Sequence, residues 1–257
     1  MHNKIINKIQ KNGFAVIENV FTHKECNAAI KQIENVFKTR LQQNKGVGNK
    51  NVQVIFNYFL EKPSLLKFVD NKSINDIMRN LIDDDYVLNT TSARNVSLSK
   101  QEDLIEKKQS PGERWHRDNR LVGDRFCNPP VIYSAIICLD EFTKNNGCTL
   151  YIPNSHKSHE KINYSKIKKY KHLEASKGSI IFLDGNLIHK TGVPSKLRRW
   201  SIFVFYTPWF IKPGVNFKRM LGKNNKSDKL KKLFHFNSTV PSSSVKVPRP
   251  TLTKFKY

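Results

Sequence analysis

Apolar residues recur in two rhythms along this chain, helical at first and strand-like from about residue 84 onward. Ile5, Ile6 and Ile9 interleaved with Lys4, Lys8 and Lys11 predict a short amphipathic helix rather than the apolar core of a secretory leader. Gly13 to Val20 has strand character. Thr22 and Glu25 then form a capping box, and Cys26, Ala29, Ile30, Ile33 and Phe37 fall at helical spacing, predicting a long helix that ends near Asn44 to Gly46. His23 and Glu25 have metal-ligand spacing, but they belong to this helix start, where a glutamate favours the positive end of the dipole. From Pro63 to Ile82, Leu65, Leu66, Phe68, Ile74, Ile77, Met78 and Leu81 predict two short helices, the second opening around Ser73 and Asp76.

After the run Asp83, Asp84 and Asp85 the texture turns to strand. Tyr86–Thr91 and Ala93–Ser99 are rich in β-branched and small polar residues, and the charged stretch Lys100–Gln109 reads as a mobile loop beside a pocket mouth. Val131–Leu139 is a nearly continuous apolar run, hence a central strand buried on both faces. Asn145, Asn146 and Gly147 turn the chain into a strand over Cys148–Ile152. Asn154–Lys177, with seven lysines, reads as an exposed excursion. Strand pattern resumes at Gly178–Asp184, leads through Leu187 to His189, and closes with Arg199–Tyr206. Strands separated by turns, with no alternating helices after residue 83, predict a mainly β fold with N-terminal helices, a sandwich or jelly roll. The expected organisation is one domain over 1–222 (helical layer 1–83, β core 84–208) and a basic tail over 223–257.

The chain carries a formal net charge of +24, which raises nucleic-acid binding as a possibility. Lysine and asparagine richness, typical of AT-rich coding sequence, accounts for much of it. Arginine behaves differently, because Arg114, Arg117, Arg120 and Arg125, four of the eleven, fall within twelve residues. Guanidinium forks pair bidentately with carboxylate or phosphate, so this cluster points to a small anionic molecule. Cys26, Cys127, Cys138 and Cys148 follow neither a metal-knuckle nor a disulfide spacing, and no run is apolar enough for a membrane span, so the expected location is cytoplasmic.

The candidate chemistry sits at Arg114–Asp118. On a strand, residues two apart share a face, so His116 and Asp118 point an imidazole and a carboxylate into one interior. Two histidines and a carboxylate hold iron(II) on one face and leave the other positions open. The pair alone is weak evidence. The order gives it weight: His116 and Asp118, then His189 at the end of a later strand, then Arg199 and Ser201 sharing a face of the next, where a fork and a hydroxyl can grip the far carboxylate of a metal-chelating dicarboxylate.

At these residues the chain resembles the phytanoyl-CoA dioxygenase-like (PhyH) family of iron(II)/2-oxoglutarate-dependent oxygenases. The resemblance covers residues 13 to about 208. It is carried by the Gly13–Val20 opening with its capped helix, Trp115 through Asp118, Asn146 through His156, Gly178 through Asp184, His189, and Arg199 through Pro208. It implies a double-stranded β-helix of the cupin-like, jelly-roll type. It further implies iron(II) held by His116, Asp118 and His189, 2-oxoglutarate anchored by Arg199 with Ser201 and Thr191, and O2 as oxidant. The carboxylate of Asp118 stands where related halogenases have a small residue, which favours hydroxylation over chlorination; desaturation and ring formation stay open. Trp115, Arg117 and Arg120 are the expected contacts to a small substrate bearing a carboxylate, phosphate, phosphonate or acyl thioester. The other readings are an oxygenase acting on nucleic acid or protein through the basic tail, and a barrel that binds metal without redox chemistry. The chain departs from the family pattern at Arg117, where Gln is frequent, at Asn154, where Gly is usual, and between His189 and Arg199, where it is one residue short. With Arg198 beside Arg199, the choice of anchor rests on counting back from Tyr206. Substrate identity and oligomeric state are not legible.

Overall fold

Helix α1, His2–Asn12, buries Ile5 and Ile9 and turns its lysines outward. Gly13, at φ 82°, breaks it and feeds strand β1, Phe14–Ile17. Thr22 caps α2, His23–Gln42, in a complete capping box with Glu25, and Cys26, Ala29, Ile30, Ile33, Val36 and Phe37 form its buried stripe. The protein is seen here as a computed structural model describing residues 2–43, 52–96, 114–119, 126–159, 163, 167–193, 195–221 and 227–236. The expected end of α2 near Asn44 to Gly46, the stretch 97–113, Arg120, Arg125 and residues 237–257 lie outside the described residues.

Strand β2, Val52–Phe56, falls in a segment where no element was expected; it pairs antiparallel with β3, Val87–Val96. Pro63–Phe68 is 3-10 rather than α-helical, and α3, Lys72–Leu81, is capped by Asn71. The two strands expected between Tyr86 and Ser99 are one, β3, with a register shift between Leu88 and Thr90. The remaining strands are β4 (Tyr133–Cys138), β5 (Thr149–Tyr151), β6 (Lys171–Leu173), β7 (Ile180–Asp184), β8 (His189–Thr191) and β9 (Trp200–Thr207). The lysine-rich excursion therefore contributes a strand to the fold.

Six strands form a major sheet in the order β1-β7-β4-β9-β3-β2, and three form a minor sheet, β6-β5-β8, all antiparallel. This is the jelly roll expected from the strand pattern. Strand alternation supplies two cores. Ile136 and Cys138 of β4 and Ile181 and Leu183 of β7 pack between the sheets with Cys148 and Leu173. Their neighbours Ala135, Ile137, Ile180 and Phe182 face the other way, under α1, α2 and α3. Burial on both faces is why these strands read as unbroken apolar runs. Gly178, at φ 84°, joins β1 to β7: its carbonyl accepts from the Val20 and Phe21 amides, and a Cβ there would sit 2.0 Å from the Phe21 carbonyl oxygen.

Beyond β9 the chain docks rather than trails away. Helices α4, Phe217–Leu221, and α5, Asp228–Leu233, bring Phe217 and Phe234 against Phe59, with ring centroids 5.2–6.2 Å apart. Lys229 and Lys232 pair with Asp70 and Asp85. Residues 227–236, the described part of the expected tail, thus pack against the core layer through Leu233 and Phe234. Among the described residues no helix is long and apolar enough to cross a membrane.

Candidate metal centre

His116 and His189, 73 positions apart, are each other's main-chain partners: the amide of each donates to the carbonyl of the other at 3.0 Å. The minor sheet is thereby extended by a single residue, after which the chain coils into a helical turn at Asp118 and Asn119. The expected His-x-Asp strand is therefore one bridge and a turn, yet the outcome for the side chains is the same. Ligand atoms of His116, Asp118 and His189 lie within 4.8 Å of one another. Nε2 of His116 is 3.8 Å, and Nε2 of His189 3.9 Å, from Asp118 Oδ1.

Each imidazole is aimed by its own backbone. Nδ1 of His116 lies 2.8 Å from the Arg114 carbonyl, and Nδ1 of His189 lies 2.9 Å from that of Leu187. A carbonyl can only accept, so Nδ1 carries the proton in both and Nε2 presents its lone pair to the centre. Ser134 Oγ donates to Asp118 Oδ2 at 3.2 Å, leaving Oδ1 toward the histidines. Next to Asp118, Asn119 is braced through its amide to Gly185 and through its side chain to Asn186, which in turn holds the backbone of Cys127.

The triad opens into a cleft enclosing about 430 Å³ of empty space, open solvent at its mouth included. Thr149 and Thr191, register partners on β5 and β8, line it with Ile136, Leu183, Phe203, Phe205 and Arg94. Arg199 lies behind it, on the inner face of the major sheet with Ser201 and Phe203. Its guanidinium sits 4.2 Å over the Phe142 ring, Nε donates to the Asn146 carbonyl at 3.2 Å, and the residue is 1% exposed. Burial lowers its pKa to about 10, with the Arg94 charge adding to the fall. Nη1 is buried without a hydrogen-bond partner among the described residues. A buried guanidinium with an orphaned donor calls for an anion, so the residues fit a carboxylate from a dicarboxylate whose other end reaches the triad. Arg198 points the opposite way, clasping Asp140 through Nε and Nη2, both at 3.1 Å, outside the barrel. Ser201 is buried beside Arg199, its hydroxyl 3.4 Å from the Arg94 carbonyl.

The expected substrate contacts fare differently. His116 and Asp118 line the cleft, whereas Trp115 and Arg117 do not. Arg117 is buried with Nε on the Asn186 carbonyl at 3.0 Å and Nη2 on that of Ser158 at 3.1 Å, so it ties loops together instead of facing the cleft. Trp115 lies under Lys190 and against Tyr170, away from the cleft lining. Arg120 is outside the described residues. The residues missed from sequence are Ser134, Thr149, Phe203, Phe205 and Arg94. Ser134 and Arg94 carried a signal, each being a polar side chain within a strand on the face that alternation buries.

The sequence model of phytanoyl-CoA dioxygenase (PhyH) matches residues 9–198. This chain belongs to the PhyH family. PhyH members are iron- and 2-oxoglutarate-dependent, which agrees with the triad and the buried guanidinium. The family match stops one residue short of Arg199, so that position rests on the structure. A dioxygenase of Aspergillus fumigatus, af480, is 28% identical over 157 residues, 60% of this chain and 48% of that protein; the chain thus spans about half of that relative's length. A Caenorhabditis elegans phytanoyl-CoA dioxygenase domain-containing protein 1 homologue is 23% identical over 242 residues, covering 72% of this chain and 83% of that one. Among solved structures, the epimerase SnoN in complex with Fe3+, alpha ketoglutarate and nogalamycin RO matches with a TM-score of 0.61 at 12% identity. That match covers 84% of this chain and 88% of the epimerase, and it shows the PhyH chain to share its fold. Two departures from the family pattern have local reasons. Asn154 adopts φ 62°, a left-handed conformation that asparagine tolerates in place of glycine, and Arg117 provides the loop tie just described.

Proposed function

We propose that this PhyH protein is an iron(II)- and 2-oxoglutarate-dependent hydroxylase of a small organic anion. The observation that carries this reading is that, among the described residues, Nη1 of buried Arg199 has no hydrogen-bond partner, on the face shared with Phe203 of the cleft that holds His116, Asp118 and His189. Those three residues would hold the iron, and Arg199, with Ser201 and Thr191, would receive the distal carboxylate of 2-oxoglutarate. Bound there, the two supply oxygen activation coupled to decarboxylation of the keto acid to succinate. The protein's own part is positional: backbone carbonyls fix both imidazoles, Ser134 turns Asp118, and Phe203 and Phe205 wall the reacting space against water.

The cleft, walled by Ile136, Leu183, Phe203 and Phe205 with polar groups at the triad, suits a small organic molecule. The decisive experiment reconstitutes the protein with Fe(II) and 2-oxoglutarate without oxygen, adds a panel of anionic metabolites, admits air, and follows succinate and products by mass spectrometry. Gain of one oxygen in a panel member supports hydroxylation. An unchanged mass with altered stereochemistry indicates epimerisation, the activity named for SnoN, and loss of two hydrogens indicates desaturation. Absence of oxygen-dependent succinate in every mixture would reduce the centre to a metal-binding barrel.

A further inference from the structure

We propose that Asn186 is a positioning residue of the metal centre, a carboxamide that sets Asp118 against the two histidines by way of Asn119. This rests on the reading above that the triad holds a metal. The need for such a residue follows from where the three ligands stand. His116 and His189 are locked by their reciprocal amide-to-carbonyl pair, but the bridge ends there, and Asp118 comes two residues later, in a helical turn where the chain has left the sheet. Ser134 Oγ, 3.2 Å from Oδ2, turns the carboxylate without fixing the backbone that carries it.

Asn186 supplies that hold. It is 2% exposed, with main chain and side chain both engaged. Its amide donates to Asp184 Oδ1 at 2.7 Å, and its carbonyl accepts at 3.0 Å from Nε of Arg117, the residue before Asp118. Its Oδ1 accepts from Nδ2 of Asn119, the residue after Asp118, and from the Cys127 amide at 3.0 Å, while its Nδ2 donates to the Cys127 carbonyl at 2.8 Å. One side chain and its backbone therefore grip the chain on both sides of Asp118 from the segment that leads into His189. The preceding Gly185 lets the segments close up: its carbonyl accepts from the Asn119 amide at 3.1 Å, and a Cβ there would lie 2.4 Å from the Ile132 carbonyl oxygen and 2.7 Å from Asn119 Oδ1. A carboxamide suits the position because it accepts and donates at once, whereas a carboxylate could not donate to Cys127. Asn186 does not border the cleft, so it acts on the centre only through these contacts. Loss of such an outer partner typically weakens metal binding by about 10- to 100-fold.

The test loads the full chain with Mn(II) and, separately, with Co(II) without oxygen. Equilibrium dialysis reads affinity, and the visible absorption of bound Co(II) reads the ligand set. Asn186→Ala should bind Mn(II) about tenfold or more weakly than wild type, and its Co(II) spectrum should move toward that of Asp118→Ala. Asn119→Ala, which cuts the link to Asn119 and keeps the clasp on Cys127, gives the same reading should the first variant fail to fold. The double variant should lose no more affinity than the weaker-binding single, as residues acting in one chain of contacts do. Phe234→Ala controls for mere destabilisation: its ring packs on Phe59 and Phe217, so it should melt lower than wild type yet bind Mn(II) within about twofold, with an unchanged Co(II) spectrum. Wild-type affinity or a wild-type spectrum in folded Asn186→Ala would overturn the proposal. So would single losses that add in full in the double variant, or an equal loss of Mn(II) affinity in Phe234→Ala. Failure of the wild type to bind either ion would instead remove the reading on which this one rests.

Discussion

Replacing Arg199 with methionine separates a ligand-binding guanidinium from a structural one, because the two roles move stability and affinity in opposite directions. A guanidinium whose pKa is lowered by burial from the usual arginine range to about 10 carries a penalty of roughly 3 kcal/mol, at about 1.4 kcal/mol per pH unit. The sign follows from the lowered value. Below pH 10 the group is charged whether folded or unfolded and the penalty is complete; it fades only as pH rises above about 10 toward the usual arginine range. Against it stand the bond from Nε to the Asn146 carbonyl, worth about 1.5 kcal/mol, and the contact with Phe142, worth about 1 kcal/mol. Arg199→Met removes all three. The ligand-free variant should therefore match wild type to within about 1 kcal/mol and melt up to about 4 °C higher. Binding of 2-oxoglutarate to the Mn(II)-loaded variant should meanwhile fall by a factor between about 30 and several thousand, the usual loss of about 2–5 kcal/mol when one partner of a buried pair is truncated. Differential scanning calorimetry with and without the keto acid reads both quantities. A variant that loses more than about 2 kcal/mol of stability yet binds 2-oxoglutarate normally would show Arg199 to be a structural residue and refute the reasoning.

Ser134→Ala should weaken Mn(II) binding about tenfold by leaving Asp118 free to rotate, with little change in melting temperature; unchanged affinity in equilibrium dialysis would show that the hydroxyl does not orient the ligand. Burial raises the Asp184 carboxyl to about 6, so the native state holds its proton more tightly than the unfolded chain, and stability drains away as pH climbs from about 4 to about 6. Asp184→Asn should relieve up to about 3 kcal/mol at pH 8 and almost nothing at pH 4, a contrast that urea melts at the two pH values would reveal. Phe234→Ala should cost about 3–5 kcal/mol because its ring is 1% exposed between Phe59 and Phe217; an unaffected melt would mean that α5 is not part of the packed body.

What the sequence disclosed, and what it hid, follows from how far each signal travels along the chain. The capped α2 and the apolar strands β4, β7 and β9 were legible because period and capping are local. The triad was legible as an ordered set of residue types. Arg198 and Arg199 could not be separated by type, since what distinguishes them is that one meets Asp140 and the other Phe142. Strand β6 was hidden because Lys171 and His172 face solvent on an edge, and α5 because its anchor, Phe59, lies far upstream. Arg117 and Trp115 were assigned to the substrate by proximity in sequence, although neither lines the cleft. Arg94 had no local signal comparable to the arginine cluster near His116, because it reaches the cleft from a strand twenty-two residues earlier.

The mutual amide-to-carbonyl clasp between positions 116 and 189 means that the ligands are gathered by the sheet and not by the ion. A centre of that kind can be emptied and recharged without unravelling, so affinity for metal is not consumed in organising the chain. With the metal held as proposed, the protein would act as a standing socket: capture would be a local event, and release would leave the surrounding sheet in place.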